Sequence, residues 1–329
     1  DVLAQPTRVA VRHDSNPGRV RFSGGGVARN IAHAVVVGSG GRRRAALVSA
    51  VGDDVFGRFV TGVTRRARVD VDSVVSLGSH RTAVCNIHLT HDGDLDSAVA
   101  DMGVFDRVEF AQVRAALERH TSAKHCVIDA NVSVACLHET ASFCQAHNVS
   151  VWFEPTSIAK CIKMVGAGST IDIVSPNAAE LWALALAYEC KAPRHSATRP
   201  PSLPTIAAVA ARVMHVAGVR RAMLVTCGAR GVVSVVRQRV DIGAPSSSSS
   251  SSVVKIDQIE YHWRHYKAMA LPRVENVTGA GDCFVAGCLA ALVDKNDLNE
   301  AVMSGIAYAH QRLTTNLSLG EEQENMSKL

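Results

Sequence analysis

The middle of the chain alternates between short apolar stretches and longer amphipathic ones. The short stretches have the length and β-branched content of buried strands, and they lie at residues 126–129, 150–154, 171–174 and 223–226. Runs with helical spacing separate them, at residues 108–120, 139–147, 178–188 and 205–217. Such alternation is typical of a parallel sheet with helices on both faces. We therefore expect an α/β fold with a doubly wound, mostly parallel sheet.

The first hundred residues show a period-two alternation instead. Residues 9–11 and 19–22 have strand character, and residues 82–90 and 95–100 flank an expected hairpin turn at 91–94. We expect these strands to form a small separate sheet, with its strands within 9–24 and 80–100. A further strand is expected at 46–51. The chain is expected to begin within or just after a first strand.

An uncharged apolar run at residues 284–293 predicts a buried helix near the end of the chain. Gly279-Ala280-Gly281-Asp282 precedes it. The first N–H groups of a helix have no internal partner and lie at its positive end, and glycines let an anion approach them. An aspartate there could take a proton from a hydroxyl that attacks a phosphoryl group. Alternatively, these residues form a tight turn in which Asp282 only caps the helix.

A second glycine cluster lies at residues 24–26, and its spacing excludes two familiar nucleotide motifs. The third glycine of a G-x-G-x-x-G pattern would be Arg29 when counted from Gly24, or Arg43 when counted from Gly38. The chain contains no G-x-x-x-x-G-K-[ST] motif. The sequence thus favours neither a nicotinamide-binding nor a P-loop protein.

Gly25 and Gly26 would let a ligand approach the backbone at a helix start, with Asn30 one turn further on. The side-chain amide of asparagine donates and accepts hydrogen bonds, which suits a polyhydroxylated ligand such as a sugar. The alternative is that Asn30 bonds only the neighbouring backbone.

Polar residues follow the expected strands, at the sheet edge where α/β proteins bind ligands. They are Asp129 with Asn131, Glu154, Asn177 with Glu180, and Thr226 with Gly228. Oxygen atoms of Asn177 and Glu180 could hold Mg²⁺ against nucleotide phosphates. The alternative is an ordinary helix start with an acidic residue in its first turn.

Composition supports one large domain spanning residues 1–329, since 47% of the residues are hydrophobic and only 5% are aromatic. Residues 191–204 contain four prolines and are expected to form a surface loop. A serine tract at 246–252 is expected to be a disordered insertion.

The net charge of +5 comes from scattered arginine clusters without interleaved aromatics, so no nucleic-acid partner is expected. The chain has no apolar run of eighteen residues and no signal peptide, so we expect a soluble, unexported protein without a membrane partner. Nine cysteines without a C-x-x-C pair suit the cytoplasm or another reducing compartment. Histidine pairs at 88/91 and 262/265 lack the companions of a zinc site.

Three motifs occur in a characteristic order: Gly25-Gly26-x-x-x-Asn30, Asn177-x-x-Glu180 and Thr278-Gly279-Ala280-Gly281-Asp282. Together they resemble the ribokinase-like (PfkB) family of carbohydrate and nucleoside kinases, over nearly the whole chain. Within that family, the segments 15–18, 25–32, 100–102, 154–157 and 276–283 are most similar to the pseudouridine kinases. Two departures are Cys85, where a larger and often aromatic residue is expected, and the serine tract, which interrupts a region that usually carries ATP-site loops.

The resemblance implies an ATP-dependent kinase that phosphorylates the 5′-hydroxyl of a nucleoside, with Mg²⁺ and, as an option, a monovalent cation such as K⁺. It also implies that the small sheet is a lid and that a homodimer forms through it. The implied catalytic residues are Asp282 as general base, with Gly279, Ala280 and Gly281 as the anion hole. The implied acceptor residues are Asp1, Gly25, Gly26, Asn30, Thr82 and Asp101. The implied nucleotide and metal residues are Asn177, Glu180, Thr226, Gly228 and Gly231.

Two alternatives remain open at this point. The first is a kinase of the same family with another acceptor, such as ribose, adenosine or another sugar. The second is a catalytically silent nucleoside-binding or scaffolding protein on the same fold.

Overall fold

A computed structural model of the chain describes residues 1–11, 13–92, 95–192, 200–238, 252–271 and 279–314. Thr278, most of the serine tract and residues 193–199 of the expected surface loop lie outside the described residues. The side chains of Leu95 and Lys295 are likewise not described.

A large mixed sheet forms the centre of the molecule. In the described residues it has seven strands, in the order β12-β13-β11-β10-β9-β8-β7. The strands are β7 (His125–Asp129), β8 (Ser150–Glu154), β9 (Ile173–Val174), β10 (Ala222–Thr226), β11 (Val232–Arg237), β12 (Ser252–Ile256) and β13 (Ile259–Tyr266). Strands β7 to β10 are parallel, and β11, β13 and β12 continue the sheet antiparallel. The expected α/β class is confirmed, with this antiparallel extension as an addition.

Helices cover both faces of this sheet because alternate strand residues point to opposite sides. Trp152, Ile173 and Leu224 pack against one helical layer, whereas Phe153 and Val174 pack against the other. The first layer contains α1 (Val27–Gly38), α7 (Ala280–Lys295) and α8 (Leu298–Leu313). The second contains α4 (Val134–Ala146), α5 (Ala178–Ala187) and α6 (Leu203–Ala217). The apolar run at 284–293 is indeed the buried part of α7, although Val293 is exposed.

Some helix bounds differ from those expected. Helix α4 begins at Val134, five residues before the expected position, because the Ser133 hydroxyl accepts a hydrogen bond from the backbone N–H of Cys136 and caps it. Helix α6 begins at Leu203, inside the range expected as loop, with Ser202 as its cap. The remaining helices are α2 (Val55–Arg66) and α3 (Phe110–Arg119).

A four-stranded sheet, which we call the small sheet, has the order β2-β1-β5-β6. Its strands are β1 (Val2–Pro6), β2 (Gly18–Phe22), β5 (Val84–Leu89) and β6 (Leu95–Asp101). The strand expected at residues 9–11 is wrong, because the first strand is Val2–Pro6, which pairs antiparallel with β2 and parallel with β5. A separate parallel pair joins β3 (Ala46–Gly52) to β4 (Asp70–Leu77). The role of the small sheet as a lid stays a prediction.

Among the described helices, none combines the length and the apolar character needed to cross a membrane.

Candidate active site

The first turn of α7 has an open N-terminus. Its N-cap is Gly279, whose φ of 78° lies in the left-handed region that favours glycine, and no side chain caps the helix. The first intrahelical bond runs from the N–H of Cys283 to the carbonyl of Gly279. The N–H groups of Ala280, Gly281 and Asp282 therefore precede the helical ladder. A Cβ added at Gly281 would meet no described atom within 4 Å beyond its own helix backbone and chain neighbours, so space remains beside these donors.

Asp282 is the third residue of α7, and its carboxylate faces another helix. Its Oδ2 accepts a hydrogen bond of 2.8 Å from Nδ2 of Asn30 in α1. Both side chains are buried. The alternative in which Asp282 only caps its own helix is therefore wrong, and so is the alternative in which Asn30 bonds only neighbouring backbone. Two motifs 252 residues apart in sequence meet at this contact.

The surroundings of Asp282 make its carboxyl a weak acid. Burial raises its pKa to about 7, and the negative charge of Asp129 acts in the same direction. The Asn30 hydrogen bond and the positive charge of Arg312 oppose this increase in pKa. A carboxylate with a pKa near neutrality is suited to accept a proton from a hydroxyl group at physiological pH.

Asp129 at the end of β7 fixes the start of α1. Its two carboxylate oxygens accept hydrogen bonds from the backbone N–H groups of Ala28 (3.1 Å) and Asn131 (2.9 Å). This contact places the glycine cluster of residues 24–26 beside the carboxyl end of the parallel strands, where the topology predicts a ligand site.

Three further acceptor residues expected from the sequence lie together at the start of α1. The Asp1 carboxyl lies against Gly25 so closely that an added Cβ there would be 2.6 Å from its carboxyl carbon. Gly26 is the N-cap of α1 and has a φ of 101°. Backbone hydrogen bonds between Asp1 and Ser23 hold this end of the chain in place. The structure thus brings Asp1, Gly25 and Gly26 to the same helix start as Asn30.

Thr82 and Asp101 are placed differently. The Thr82 hydroxyl donates to Oδ1 of Asp54 (2.7 Å) and accepts from the backbone N–H of Gly52 (2.9 Å). The backbone N–H of Thr82 donates to Oδ2 of Asp54. Thr82 makes no hydrogen bond to Asn30 or Asp282 within the described chain, so its polar groups serve the start of α2. Asp101 is exposed at the end of β6, where it pairs with Val84.

The residues expected to organise nucleotide and metal form a capping box at the start of α5. The Asn177 side chain accepts from the backbone N–H of Glu180 (2.9 Å), and Oε2 of Glu180 accepts from the backbone N–H of Asn177 (2.8 Å). Burial raises the pKa of Glu180. The geometry is therefore the helix-start alternative, although it leaves the second carboxylate oxygen of Glu180 outside the capping box.

Thr226 lies beside this helix start. Its backbone N–H donates to the carbonyl of Pro176 (2.9 Å), and a parallel β-bridge joins Thr226 to Asn177. Gly228 and Gly231 follow in a short 3₁₀ turn with positive φ values. The structure thus brings the expected nucleotide residues Asn177, Thr226, Gly228 and Gly231 to one end of the sheet.

Glu154 at the end of β8 adds a half-buried carboxyl group to this edge. It accepts a hydrogen bond from the Ser175 hydroxyl, which itself accepts from the indole N–H of Trp152 at 2.7 Å. Burial raises the pKa of Glu154 well above its usual value, and the charges of Asp282 and Glu180 add to this effect. The sequence predicts Glu154 only as a polar residue at a strand end.

The buried arginine beside the candidate base, Arg29, was not among the site residues expected from the sequence. Arg29 in α1 is 4% exposed and donates from Nη1 to Oδ1 of Asn30 at 3.3 Å. Its position within the motif Gly25-Gly26-x-x-x-Asn30 was a signal that could have been read, since a charged residue inside an apolar helix start needs partners.

The family model for the pfkB family carbohydrate kinases matches residues 4–318 of this chain. The chain therefore belongs to this family, and it is a phosphotransferase that uses an alcohol group of a sugar or nucleoside as acceptor. Both the expected family and the expected enzyme class are confirmed.

Two relatives are similar to this chain along most of their length. "Pseudouridine kinase" of Escherichia coli (strain K12) is 29% identical over 290 residues, which cover 88% of this chain and 79% of the relative. "Pseudouridine kinase" of Arabidopsis thaliana is 25% identical over 337 residues, covering 94% of this chain and 86% of the relative.

Solved structures share the fold. The Arabidopsis thaliana ribokinase complexed with ribose and ATP has a TM-score of 0.71 at 18% identity, covering 97% of this chain and 91% of that one. A carbohydrate kinase from Agrobacterium tumefaciens has a TM-score of 0.68 at 22% identity, covering 99% and 93%. These likenesses show a ribokinase-like fold.

Proposed function

We propose that this protein transfers a phosphoryl group from ATP to the 5′-hydroxyl of a nucleoside, and that the nucleoside is pseudouridine. The acceptor is proposed from the names of the two relatives, and ATP is proposed from the ligand of the Arabidopsis ribokinase. The proposal agrees with the motifs of the sequence.

One observation carries the catalytic assignment. The buried carboxylate of Asp282 lies in the first turn of α7, bonded to Asn30 and beside N–H groups that precede the helical ladder. A base and an anion-binding helix end thus occupy the same turn. Phosphoryl transfer requires mainly positioning and charge stabilisation, which this arrangement supplies.

In this mechanism Asp282 accepts the proton of the acceptor hydroxyl while the hydroxyl oxygen attacks the terminal phosphorus of ATP. The bond between that phosphorus and the bridging oxygen breaks, and ADP leaves. The N–H groups of Ala280 and Gly281 stabilise the negative charge on the phosphoryl oxygens. Asp1, Gly25 and Gly26 would hold the sugar at the start of α1. We further propose that the small sheet closes over the acceptor, excludes water and forms a homodimer contact.

The described part of the chain supplies few ligands for a cation by itself. The described residues contain no group of three or more His, Cys, Asp or Glu side chains that could hold a metal ion. Mg²⁺ in kinases is held by nucleotide phosphates with one or two carboxylates, and the oxygen of Glu180 that lies outside the capping box fits that need. When bound there, Mg²⁺ would neutralise phosphate charge. The structure gives no separate support for K⁺.

The test is a panel of acceptors given to the purified protein with ATP and Mg²⁺, with ADP formation as the readout. Pseudouridine, uridine, adenosine and ribose are compared by kcat/KM, and the product is identified by mass and by the position of its phosphate. We expect pseudouridine to be the best acceptor and the product to be its 5′-phosphate. Because Asp282 must be ionised, kcat should increase with pH through about 7.

Each other outcome removes a defined part of the proposal. A better rate with ribose or adenosine would replace the acceptor and keep the kinase. Binding of nucleoside without any acceptor-dependent ADP formation would support a silent binding protein.

A further inference from the structure

The side chain of Arg29 is held on several sides inside the protein. Its Nε donates to the Thr64 hydroxyl of α2 at 3.0 Å, and Nη1 donates to the carbonyl of Gly24 at 3.2 Å. Its Nη2 lies 3.3 Å from Nδ1 of His33. Since these contacts come from two helices and the glycine segment, the guanidinium has little freedom to move.

His33 takes part as a neutral acceptor. Burial lowers its pKa to about 4, and the positive charge of Arg29 acts in the same direction. A neutral imidazole has one acceptor nitrogen, and the neighbouring guanidinium can only donate. Nδ1 of His33 is therefore the acceptor nitrogen, and the single N–H proton of the imidazole ring lies on Nε2.

The same donor-only chemistry determines which way the Asn30 amide faces. Arg29 Nη1 meets Oδ1 of Asn30, and Nδ2 of Asn30 then meets the carboxylate of Asp282. If the amide were reversed, its NH₂ group would face the guanidinium and its oxygen would face the carboxylate. Both contacts would then be repulsive. Arg29 thus selects the amide orientation that donates to Asp282.

We propose that Arg29 is a positioning residue for phosphoryl transfer, which acts by holding the Asn30 amide with its NH₂ group toward Asp282. This inference rests on the proposed role of Asp282 as the base. Without Arg29 the amide can turn its oxygen toward Asp282, which favours the protonated carboxyl group. That form cannot accept a proton from the acceptor hydroxyl.

Other charged groups also act on Asp282, and they remain in place when Arg29 is replaced. Asp129 on β7 disfavours its ionised form, whereas Arg312 on α8 favours it. Glu154 on β8 also lies near enough to Asp282 for the charge of Asp282 to raise the pKa of Glu154. Their effects are common to wild type and variant, so a difference between the two reports on the Arg29–Asn30 contact.

The experiment compares the pH dependence of kcat in wild type and Arg29→Met. We expect the midpoint of the acid limb to rise by about one pH unit, since one hydrogen bond to a buried carboxylate changes its pKa on that scale. The rate should then be about tenfold lower at pH 6.5, with the difference shrinking above pH 8. The KM for ATP should stay unchanged.

Val36→Ala is the matched control because Val36 is buried in the same helix and packs in a cluster with Leu47 of β3. It should lower the melting temperature and leave the pH midpoint unchanged. In Arg29→Lys, the midpoint of the acid limb of kcat should be lower than in Arg29→Met, since lysine is also a donor-only group. It also serves as the second variant if Arg29→Met does not fold.

A double-mutant cycle with Asn30→Ala separates action through Asn30 from direct action of the arginine charge on Asp282. In the Asn30→Ala background, replacing Arg29 should no longer move the midpoint. A midpoint that moves equally in both backgrounds, or one that stays at the wild-type value in Arg29→Met, would overturn the proposal.

A readout independent of turnover keeps this inference separate from the proposed function. The ¹³C carboxyl resonance of Asp282, assigned with Asp282→Asn, is titrated in wild type and Arg29→Met. A higher titration midpoint in the variant supports the positioning role even if the acceptor is wrong. A wild type that titrates near pH 7 but phosphorylates none of the acceptors would instead refute the proposed function.

Discussion

Helices α5 and α7 both carry an acidic residue at their third position, and the geometries of these two helix starts differ. In α5 the third residue is Glu180, and in α7 it is Asp282. Glu180 bonds back to the N–H of its own N-cap, Asn177. Asp282 has a glycine N-cap and bonds instead to Asn30 of another helix.

The difference lies in what satisfies the first N–H groups of each helix. A side-chain cap and a returning carboxylate occupy the start of α5, which stabilises the helix by itself. The start of α7 has no such cap, so its donors remain available to a phosphoryl group. An acidic residue in a first turn is therefore no sign of catalysis unless the cap is absent and the carboxylate faces another element.

The largest expected effect comes from Asp282→Asn, which removes the proposed base. We expect turnover to fall by about a hundredfold or more, which is the usual scale for a lost general base. Steady-state kcat at pH 8 is the measurement. Turnover near the wild-type level would refute the assignment of Asp282 and make the two helix starts equivalent.

A thermal melt of the same variant is its control. The pKa of Asp282 is raised in the folded protein from 3.8 to about 7, so the unfolded chain releases this proton more readily. Its contribution to stability is therefore lost as pH increases from about 4 to about 7. Asp282→Asn should be at least as stable as wild type at pH 8. Any gain in stability of the variant over wild type should vanish near pH 4. A lower melting temperature at pH 8 would indicate a structural cause for lost activity.

The next effect is expected from Gly281→Ala. The added methyl group meets open space within the described protein, and alanine is the better helix former, so stability should be kept or slightly increased. The methyl group would stand in the space proposed for the phosphoryl group, and kcat should fall by about tenfold. Unchanged kcat would show that the start of α7 is not the anion site. Gly279→Ala is the contrasting variant, because strain at its positive φ should lower stability.

The smallest effect is expected at α5, where two substitutions separate capping from metal binding. Asn177→Ala should lower the free energy of unfolding by about 1 kcal/mol through loss of the cap. Glu180→Gln keeps an oxygen acceptor for the capping box and removes the charge, so stability should be kept. If Glu180 helps to hold Mg²⁺, this variant alone should need more Mg²⁺ for half-maximal rate. Equal Mg²⁺ dependence in wild type and Glu180→Gln would restrict α5 to a structural role.

Local patterns were sufficient for most of the central fold. The short apolar runs of β8 and β10 and the uncharged run of α7 are consequences of burial, which the sequence records directly. The strand expected at residues 9–11 was wrong because three apolar residues in a row do not specify which strand they pair with or in which register. The true first strand, Val2–Pro6, depends on pairing with β5 from residues 84–89. Nothing local specifies such a partner.

The candidate site, too, could be predicted from the sequence only in part. Its glycines and polar residues were visible as motifs, and the family resemblance suggested a role for each. The roles of Thr82 and Arg29 were not visible. The hydroxyl of Thr82 is taken up by Asp54 and Gly52, and the guanidinium of Arg29 is directed at Asn30 by α2 and His33.

The amino-acid sequence by itself determined the fold class, the enzyme family and the residue types available for chemistry, because hydrophobic period and motif spacing are local properties of the chain. Only the tertiary structure decided which helix start is capped and which is open, and that Asn30 donates to Asp282. Hydrogen bonds and burial depend on groups that lie far apart in sequence. The raised pKa of Asp282 therefore exists only once the chain has folded around it.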